Sequence, residues 1–283
     1  MTQTYLALID RSVYAESVCR LSGWLAGKTG AKVKIYHVLP PDAAHDRKDY
    51  SGAIKLGARS RLLGQLAELD ETRAKLSHEQ GRAILEDAKA LVEEMGASDV
   101  ETRLRRGEIL DTVTDKEDTG DLIVIGKRGE GADFAKGHLG SNLERIVRAS
   151  TKPVLVASRA FTPVERAVIA FDGGETAQKA VDYVITSGLF AGIGLHLLVA
   201  RPDEKTRKAT EAAAAKLAEA GLSVEVETVD DTAERALAKR MDAGSADLLI
   251  MGAYGHSRIR SLVIGSTTSE MIRVCKTPVL LVR

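Results

Sequence analysis

"DLLIMGAYGHSRIRSLVIGSTTSEMIRVCKTPVLLVR", residues 247–283, nearly repeats "DLIVIGKRGEGADFAKGHLGSNLERIVRASTKPVLVASR", residues 121–159 of the same chain. Each stretch opens with a short apolar run ending in glycine, continues through G-x-x-G and a later G-S pair, and closes on P-V-L. Thirteen positions separate Gly140 from Pro153, and thirteen separate Gly265 from Pro278. This self-similarity predicts a chain built from two copies of one structural unit.

The regions that precede these two stretches also match. "TYLALIDRS" (residues 4–12) and "RAVIAFDGG" (residues 166–174) are apolar runs that end in aspartate, and "KVKIYHVL" and "VETRL" have counterparts in "IGLHLLVA" and "VEVETV". Helical patterns separate these runs, and such alternation predicts β-α-β units around a parallel sheet. We expect five strands and about four helices in each half, with one domain at residues 1–160 and a second at 161–283.

Composition narrows the class of protein. The 283 residues contain 40 Lys+Arg and 40 Asp+Glu, so no net charge draws the chain to nucleic acid. No apolar run approaches the roughly 18 residues of a membrane span, and from the first residues we expect no secretory signal. Two cysteines, Cys19 and Cys275, are expected to be buried small hydrophobes in a reducing cytoplasm. The six histidines show no metal-ligand spacing, so we expect no metal site.

A glycine-rich, hydroxyl-bearing loop follows an apolar run in the second half. In an open parallel sheet, ligands bind beyond the carboxyl ends of the strands, where the strand order reverses. A helix N-terminus attracts anions there, and glycines let the backbone come close to phosphate oxygens. The alternative is an ordinary tight turn followed by an N-cap serine. No G-K-[ST] is present, so this is not a Walker P-loop. The candidate phosphate-binding residues are Gly252, Gly255, His256, Gly265, Ser266 and Thr267.

The spacing G-x2-G-x9-G-[ST] at residues 252–266, together with "DGGETAQKAV" at residues 172–181, resembles the universal stress protein family. The resemblance covers nearly the whole chain in two tandem copies. It implies an α/β fold with two tandem five-stranded parallel-sheet domains, Rossmann-like and adenine-nucleotide α-hydrolase-like, each with strand order 3-2-1-4-5. It also implies that the ligand is ATP, or AMP or ADP, with Mg²⁺ left open as a companion of the phosphates.

The resemblance assigns roles to residues at the strand ends of the second half. Asp172 would contact the adenosine part, and Ala200 or its neighbour Val199 would touch the adenine at the end of strand two. Ala170, two residues before Asp172, belongs to the same site, and the glycine loop would hold the phosphates.

The first half departs from this pattern. Its loop is one residue longer and carries Glu130 and Asp133, and Asn142 stands where the second half has Thr267. Each acid near a phosphate is repulsive by roughly 1 kcal/mol at partly screened distances. We therefore expect the main nucleotide site in the second half and a weaker or altered one in the first. The matching first-half positions are Asp10, Val38, Gly126, Gly129, Gly140 and Ser141.

Two classes of function stay open at this point. One is a cytoplasmic stress-response protein in which a bound adenine nucleotide regulates contacts with unidentified protein partners. The other is a slow ATPase or an enzyme that phosphorylates its own Ser266 or Thr267. A flavin-binding electron-transfer domain shares the architecture, but the short second half disfavours it.

Two further features concern packing. "KPVLVAS" and "TPVLLVR" would form apolar edge strands, which proteins cover, so we expect the halves to pair through them; a homodimer is left open. The first half also has a charged helical excess at about residues 42–80, with leucines at positions 62, 63, 66 and 69. That apolar stripe could lie on its own domain, on the other half or on a second copy of the chain.

Overall fold

The structure is a computed structural model that describes residues 2–41, 56–129, 140–253 and 266–283, without the side chains of residues 56–63, 242, 266 and 267. The first half contains β1 (Thr4–Ile9), α1 (Ala15–Thr29), β2 (Lys32–Leu39), α2 (Leu56–Glu94), β3 (Val100–Arg106), α3 (Ile109–Lys116), a 3-10 turn (Glu117–Thr119), β4 (Leu122–Gly126), α4 (Ser141–Ala149) and β5 (Val154–Ala157). The second half contains β6 (Arg166–Ala170), α5 (Glu175–Thr186), β7 (Gly194–Ala200), α6 (Glu204–Glu219), β8 (Val224–Val229), α7 (Ala233–Asp242), β9 (Leu248–Gly252), α8 (Ser266–Val274) and β10 (Val279–Val282).

All ten strands form one sheet in the order β3-β2-β1-β4-β5-β10-β9-β6-β7-β8. Each half is parallel with strand order 3-2-1-4-5, which confirms the predicted fold class. The halves meet where β5 pairs with β10, and this pair is antiparallel, with Leu155 opposite Leu280. The predicted contact through the last strands is therefore confirmed. Because the pairing is antiparallel, the carboxyl ends of the two sets of strands lie at opposite edges of the sheet.

The core lies on both faces of the sheet and crosses the seam between the halves. Strands buried on both faces read as continuous apolar runs. Alternation along such a strand sends successive side chains to opposite faces, and two apolar clusters result. One cluster contains Leu155 and Leu280, and the other contains Val154 and Leu281. Each cluster therefore joins residues of both halves. Cys19 and Cys275 are buried in these clusters, as the sequence predicts.

Each half also caps a helix of the other half. Lys127 Nζ, just after β4, donates to the carbonyl oxygens of Arg273 and Cys275 at the end of α8, at 2.8 Å each. Arg283 Nη1, just after β10, donates to the carbonyl oxygens of Arg148 and Ser150 at the end of α4, at 2.6 and 3.1 Å. The last carbonyls of a helix lack partners within it and carry partial negative charge, so a cation there is stabilising.

The helical excess of the first half is a single long helix, α2, whose two parts have different surroundings. From Gly81 onward it packs against α1, β2 and β3, with Leu85, Ala88 and Val92 in the core. The residues from 64 to 80 are largely exposed. The predicted helix is thus confirmed from residue 56 onward, while residues 42–55 lie outside the described part. Of the three surfaces on which the stripe could lie, those within this chain do not cover Leu66 and Leu69 in the described part, where both side chains are exposed.

Across the described ranges, none of the helices combines the length and the apolar character that crossing a membrane requires.

We expect Leu281→Lys to disrupt the seam. Leu281 is buried opposite Val154, so the substitution places an unpaired charge in the core and should lower the free energy of unfolding by more than about 3 kcal/mol. Val226→Lys is the matched control, because Val226 lies on the edge strand β8 and is 49% exposed. Denaturant unfolding with small-angle scattering provides the measurement. Equal stability and equal dimensions for both variants would contradict the role given to the seam.

Candidate functional site

The order of the strands reverses between the first and fourth strands of each half. In the second half these strands are β6 and β9, and Asp172 follows β6 while Gly252 ends β9. Val199 and Ala200 end β7, the next strand along. The structure thus brings four of the predicted second-half residues to one edge of the sheet, and Ala170, the last residue of β6, lies beside them. Crevices at such reversal points are the usual ligand sites of open α/β sheets.

The strand-one aspartates adopt the same turn in both halves. Asp172 Oδ1 accepts a hydrogen bond from the Gly174 amide at 2.8 Å, and Asp10 Oδ1 accepts one from the Ser12 amide at 2.9 Å. These bonds fix one carboxylate oxygen and set the direction of the other. Asp172 is exposed, whereas Asp10 is half-buried and its Oδ2 lies 3.0 Å from where a side chain at Gly129 would begin.

The ends of the second strands differ between the halves. In the second half Ala200 is half-buried, and Arg201, which follows it, has a φ of 42°. Arg201 is the one non-glycine residue with positive φ in the described part of the chain. Such backbone strain costs energy and is concentrated at binding sites. In the first half Val38 is followed by Leu39, which continues the strand.

In the first half, Gly140 brings the end of the loop into contact with its beginning. The Gly140 amide donates to the Lys127 carbonyl at 3.4 Å, and an added Cβ on Gly140 would lie 3.3 Å from Arg128 Cα. The two ends of the loop therefore touch. Gly140 is the N-cap of α4, and Ser141 is its first helical residue. Among the residues that the structure describes, no side-chain hydrogen bond caps the start of this helix.

The second-half loop is described only at its two ends. Gly252 ends β9, and α8 begins at Ser266, with Thr267 next. The predicted order of strand, loop and helix is therefore observed. Gly255, His256 and Gly265 lie outside the described residues.

Gly252 and Gly126 have a packing role that the sequence did not reveal. A Cβ on Gly252 would lie 2.5 Å from Thr176 Oγ1 and 2.8 Å from the Ala177 amide nitrogen. A Cβ on Gly126 would lie 2.6 Å from Tyr14 Cβ. In each half the fourth strand thus ends directly against the start of the first helix, and only glycine fits.

Tyr14 and Thr176 occupy corresponding positions, four residues after the strand-one aspartate, and they make the two crevices different. Tyr14 is buried and lines the first-half crevice, which is small and opens to solvent. Arg128 lines the same crevice, and within the described ranges its buried Nε has no hydrogen-bond partner. Aligning "DRSVY" with "DGGET" would have revealed the tyrosine.

Lys127 lies between the loop glycines in sequence, but its ammonium group is directed to the opposite half. Burial lowers the pKa of Lys127 to about 8, and the neighbouring Arg128 also lowers it. The carbonyls of Arg273 and Cys275 accept hydrogen bonds from this group, so the lysine is held at the end of α8 in either protonation state.

His37 and His196 are not aimed at either crevice. The buried His37 ring bonds through Nδ1 to the Ile9 carbonyl at 3.1 Å, and the His196 ring contacts Arg240 at 2.8 Å. Within the described ranges, no group of three or more His, Cys, Asp or Glu side chains is arranged to hold a metal ion.

Comparison with known proteins gives a consistent picture. The family model described as "Universal stress protein family" matches residues 1–158 and again residues 163–283. The chain is 37% identical over 283 residues to "Universal stress protein Slr1230" of Synechocystis sp., covering 98% of this chain and 99% of that protein.

Solved structures share the fold. A universal stress protein from Archaeoglobus fulgidus DSM 4304 matches with a TM-score of 0.70 at 20% identity, covering 99% of this chain and 98% of that one. A further universal stress protein, solved in complex with cAMP, matches 56% of this chain and 98% of its own length, with a TM-score of 0.38 at 22% identity.

Gly252→Ala should destabilise the fold by about 1–3 kcal/mol, because the new methyl group would overlap backbone atoms at the start of α5. Gly194→Ala is the control: its methyl group would meet nothing closer than 3.7 Å, so stability should stay level or rise slightly. Thermal and denaturant unfolding measure both. If Gly252→Ala were as stable as the control, the close approach would be refuted. Substitutions at Gly252 therefore report on folding before they report on ligand binding.

Lys127→Met should change how stability depends on pH. The folded-state pKa of about 8 is below the ordinary 10.5, so the unfolded chain binds more protons between these values. The contribution of Lys127 to the free energy of unfolding is therefore lowest below pH 8 and rises as the pH approaches 10.5. As the pH rises from 8 to 10.5, the free energy of unfolding of the wild type should increase relative to that of Lys127→Met. Denaturant titrations at several pH values measure it, and the exposed Lys239→Met shows the effect of losing any lysine. A difference that does not vary with pH would contradict the lowered pKa.

Proposed function

This chain belongs to the universal stress protein family, and we propose that it is a cytoplasmic regulatory module that binds ATP or a related adenine nucleotide, mainly in its second half. One observation carries the proposal. Asp172 follows β6 and Gly252 ends β9, the two strands between which the strand order of the second half reverses, and α8 begins at Ser266 before the next strand, β10.

These elements offer different chemistry to the parts of a nucleotide. The exposed Asp172 carboxylate can accept hydrogen bonds from ribose hydroxyls or adenine, and one of its oxygens is already oriented by Gly174. The end of β7 at Ala200 offers backbone groups for the base. The first turn of α8 offers amides and a positive dipole end for phosphates, the usual anion site of such folds.

The difference between Thr176 and Tyr14 favours the second half. Thr176 contacts Gly252 and is small, whereas the buried Tyr14 occupies space in the first-half crevice. The difference agrees with the acids of the first-half loop, which also disfavour phosphate. Arg128 in the first-half crevice offers a cation to an anionic ligand there, so this crevice keeps a capacity for anions other than the main nucleotide.

Asp172→Asn should weaken binding of ATP by at least about tenfold, because a hydrogen bond to a charged group contributes about 1.5–3 kcal/mol and 1.4 kcal/mol is tenfold in affinity. The asparagine oxygen can still accept from Gly174, so the local turn is kept. Asp10→Asn is the matched control in the first half and should leave the main site intact. Titration calorimetry with ATP, ADP and AMP, with and without Mg²⁺, measures the affinities.

Loss of the main site in Asp10→Asn, with Asp172→Asn unaffected, would reverse the assignment of the halves. No nucleotide binding by the wild type would remove the proposal. Multiple-turnover release of phosphate from ATP, abolished by Asp172→Asn, would identify an ATPase in place of a binding module. Incorporation of labelled phosphate at Ser266 or Thr267 would identify self-phosphorylation.

A further inference from the structure

A row of leucines lies on the projecting part of α2. Leu66, Leu69 and Leu76, here called the leucine stripe, are 42%, 66% and 61% exposed. They account for three of the six large hydrophobic side chains that are exposed in the described part of the chain. Exposed apolar surface that is concentrated on one element indicates a contact with a partner.

The part of α2 that carries the stripe, residues 64–80, is largely exposed. Gln80 accepts a hydrogen bond from Arg11 at 3.1 Å, and Gly81 is the first buried residue of α2 in the part whose side chains the structure describes. The 17 residues from 64 to 80 therefore extend about 25 Å at 1.5 Å per residue. A helix of this length is only marginally stable when it is isolated in water. Covering the stripe would stabilise it.

The spacing of the leucines indicates that a helix covers them. Leu69 and Leu76 are seven residues apart, Leu62 precedes Leu69 by another seven, and Leu66 falls between at the complementary position. A seven-residue apolar repeat keeps a narrow seam facing a partner helix in a left-handed supercoil. A contact with a sheet or a globular surface would favour a wider apolar face.

The charges around the stripe indicate which helix it is. Acidic Glu68 and Asp70 precede the middle of the segment, and basic Arg73 and Lys75 follow it. If a second copy runs antiparallel about an axis between residues 71 and 72, Asp70 faces Arg73 of the second copy. Symmetry repeats this pair, whereas Glu68 and Lys75 lie on the side of the helix away from the stripe. Lys75 pairs with Glu71 in its own helix at 2.8 Å, on that same far side. A parallel arrangement would instead set Arg73 against Arg73.

We propose that the leucine stripe binds the leucine stripe of a second copy of this chain, through an antiparallel two-helix contact. Leu66 of one copy then packs against Leu76 of the other. Exposed ion pairs contribute only about 0.2–1 kcal/mol each, so the leucines supply the affinity and the charges select the orientation. Gly81, where α2 joins the core, lies opposite residue 62 of the second copy, so about 28 Å of helix separates the two cores. The proposal is independent of nucleotide binding.

Sedimentation velocity on the full chain tests association. The wild type should form dimers whose fraction rises with concentration, and Leu69→Lys with Leu76→Lys should raise the dissociation constant by more than about tenfold. Val226→Lys is the control, since Val226 is the exposed apolar residue of β8 and lies far from α2 in the sheet order. Circular dichroism and melting confirm that each variant is folded. A wild type that is monomeric at all concentrations overturns the proposal, as does a dimer that the double substitution leaves intact.

A charge exchange tests self-recognition without removing any leucine. Asp70→Arg alone should weaken the dimer, because the introduced guanidinium group would face Arg73 of the second copy. Asp70→Arg combined with Arg73→Asp should restore it, since the opposite charges are exchanged. Failure of the second substitution to restore association would overturn the antiparallel pairing.

Cross-linking tests the orientation directly. Thr72→Cys should form a disulfide-linked dimer on oxidation, because residue 72 lies beside the two-fold axis. Gln65→Cys should not, because its symmetry mate lies about 20 Å away along the helix. The natural Cys19 and Cys275 are buried and give a low background. Equal cross-linking at both positions indicates a parallel pair, and no cross-linking at residue 72 indicates a different contact; either result overturns the proposal.

Discussion

Antiparallel pairing of β5 with β10 is the interaction on which the rest of the structure depends. Both strands are buried on both faces, so neither half could present its last strand to water without exposing a row of valines and leucines. Burial of one such side chain contributes about 1.5–3 kcal/mol, and the seam buries seven of them together with Ala157. The pairing also fixes the directions of the two halves, which places the two crevices at opposite edges of one continuous sheet.

The helices beside the seam connect these two edges. In the second half, α8 follows the stretch after β9, and its C-terminal carbonyls are held by Lys127, which follows the fourth strand of the first half. The N-terminus of α4 lies at the first-half crevice, and its C-terminal carbonyls are held by Arg283. In each half, the helix between the fourth and fifth strands therefore has its C-terminal end held by a cation of the opposite half. Each of these two helices has nine residues and is about 14 Å long.

Most of the fold could be predicted from the sequence because its main signals are local. Short apolar runs, intervening helical patterns and the repeat of the glycine loop predict ten strands in two parallel halves, and the resemblance to the universal stress protein family implies the order 3-2-1-4-5 in each half. The position of Asp172 and the strand and helix that flank the loop follow from the same signals. The packing of Gly126 against Tyr14 could not be predicted, because it joins residues 112 positions apart. The amphipathic pattern of α2 likewise showed an apolar stripe. It did not show that residues 64–80 are exposed and that the helix enters the core only at Gly81.

The single covalent chain has a consequence for how this sheet can change in evolution. In an assembly of two identical subunits, every substitution appears twice, once on each side of the symmetry axis. Here the two sides of the β5–β10 contact are encoded separately, so a residue such as Tyr14 can enlarge on one side while Thr176 stays small on the other. The same separation allows α2 to lengthen in one half only. The fused chain thus keeps a symmetric framework while its two halves diverge.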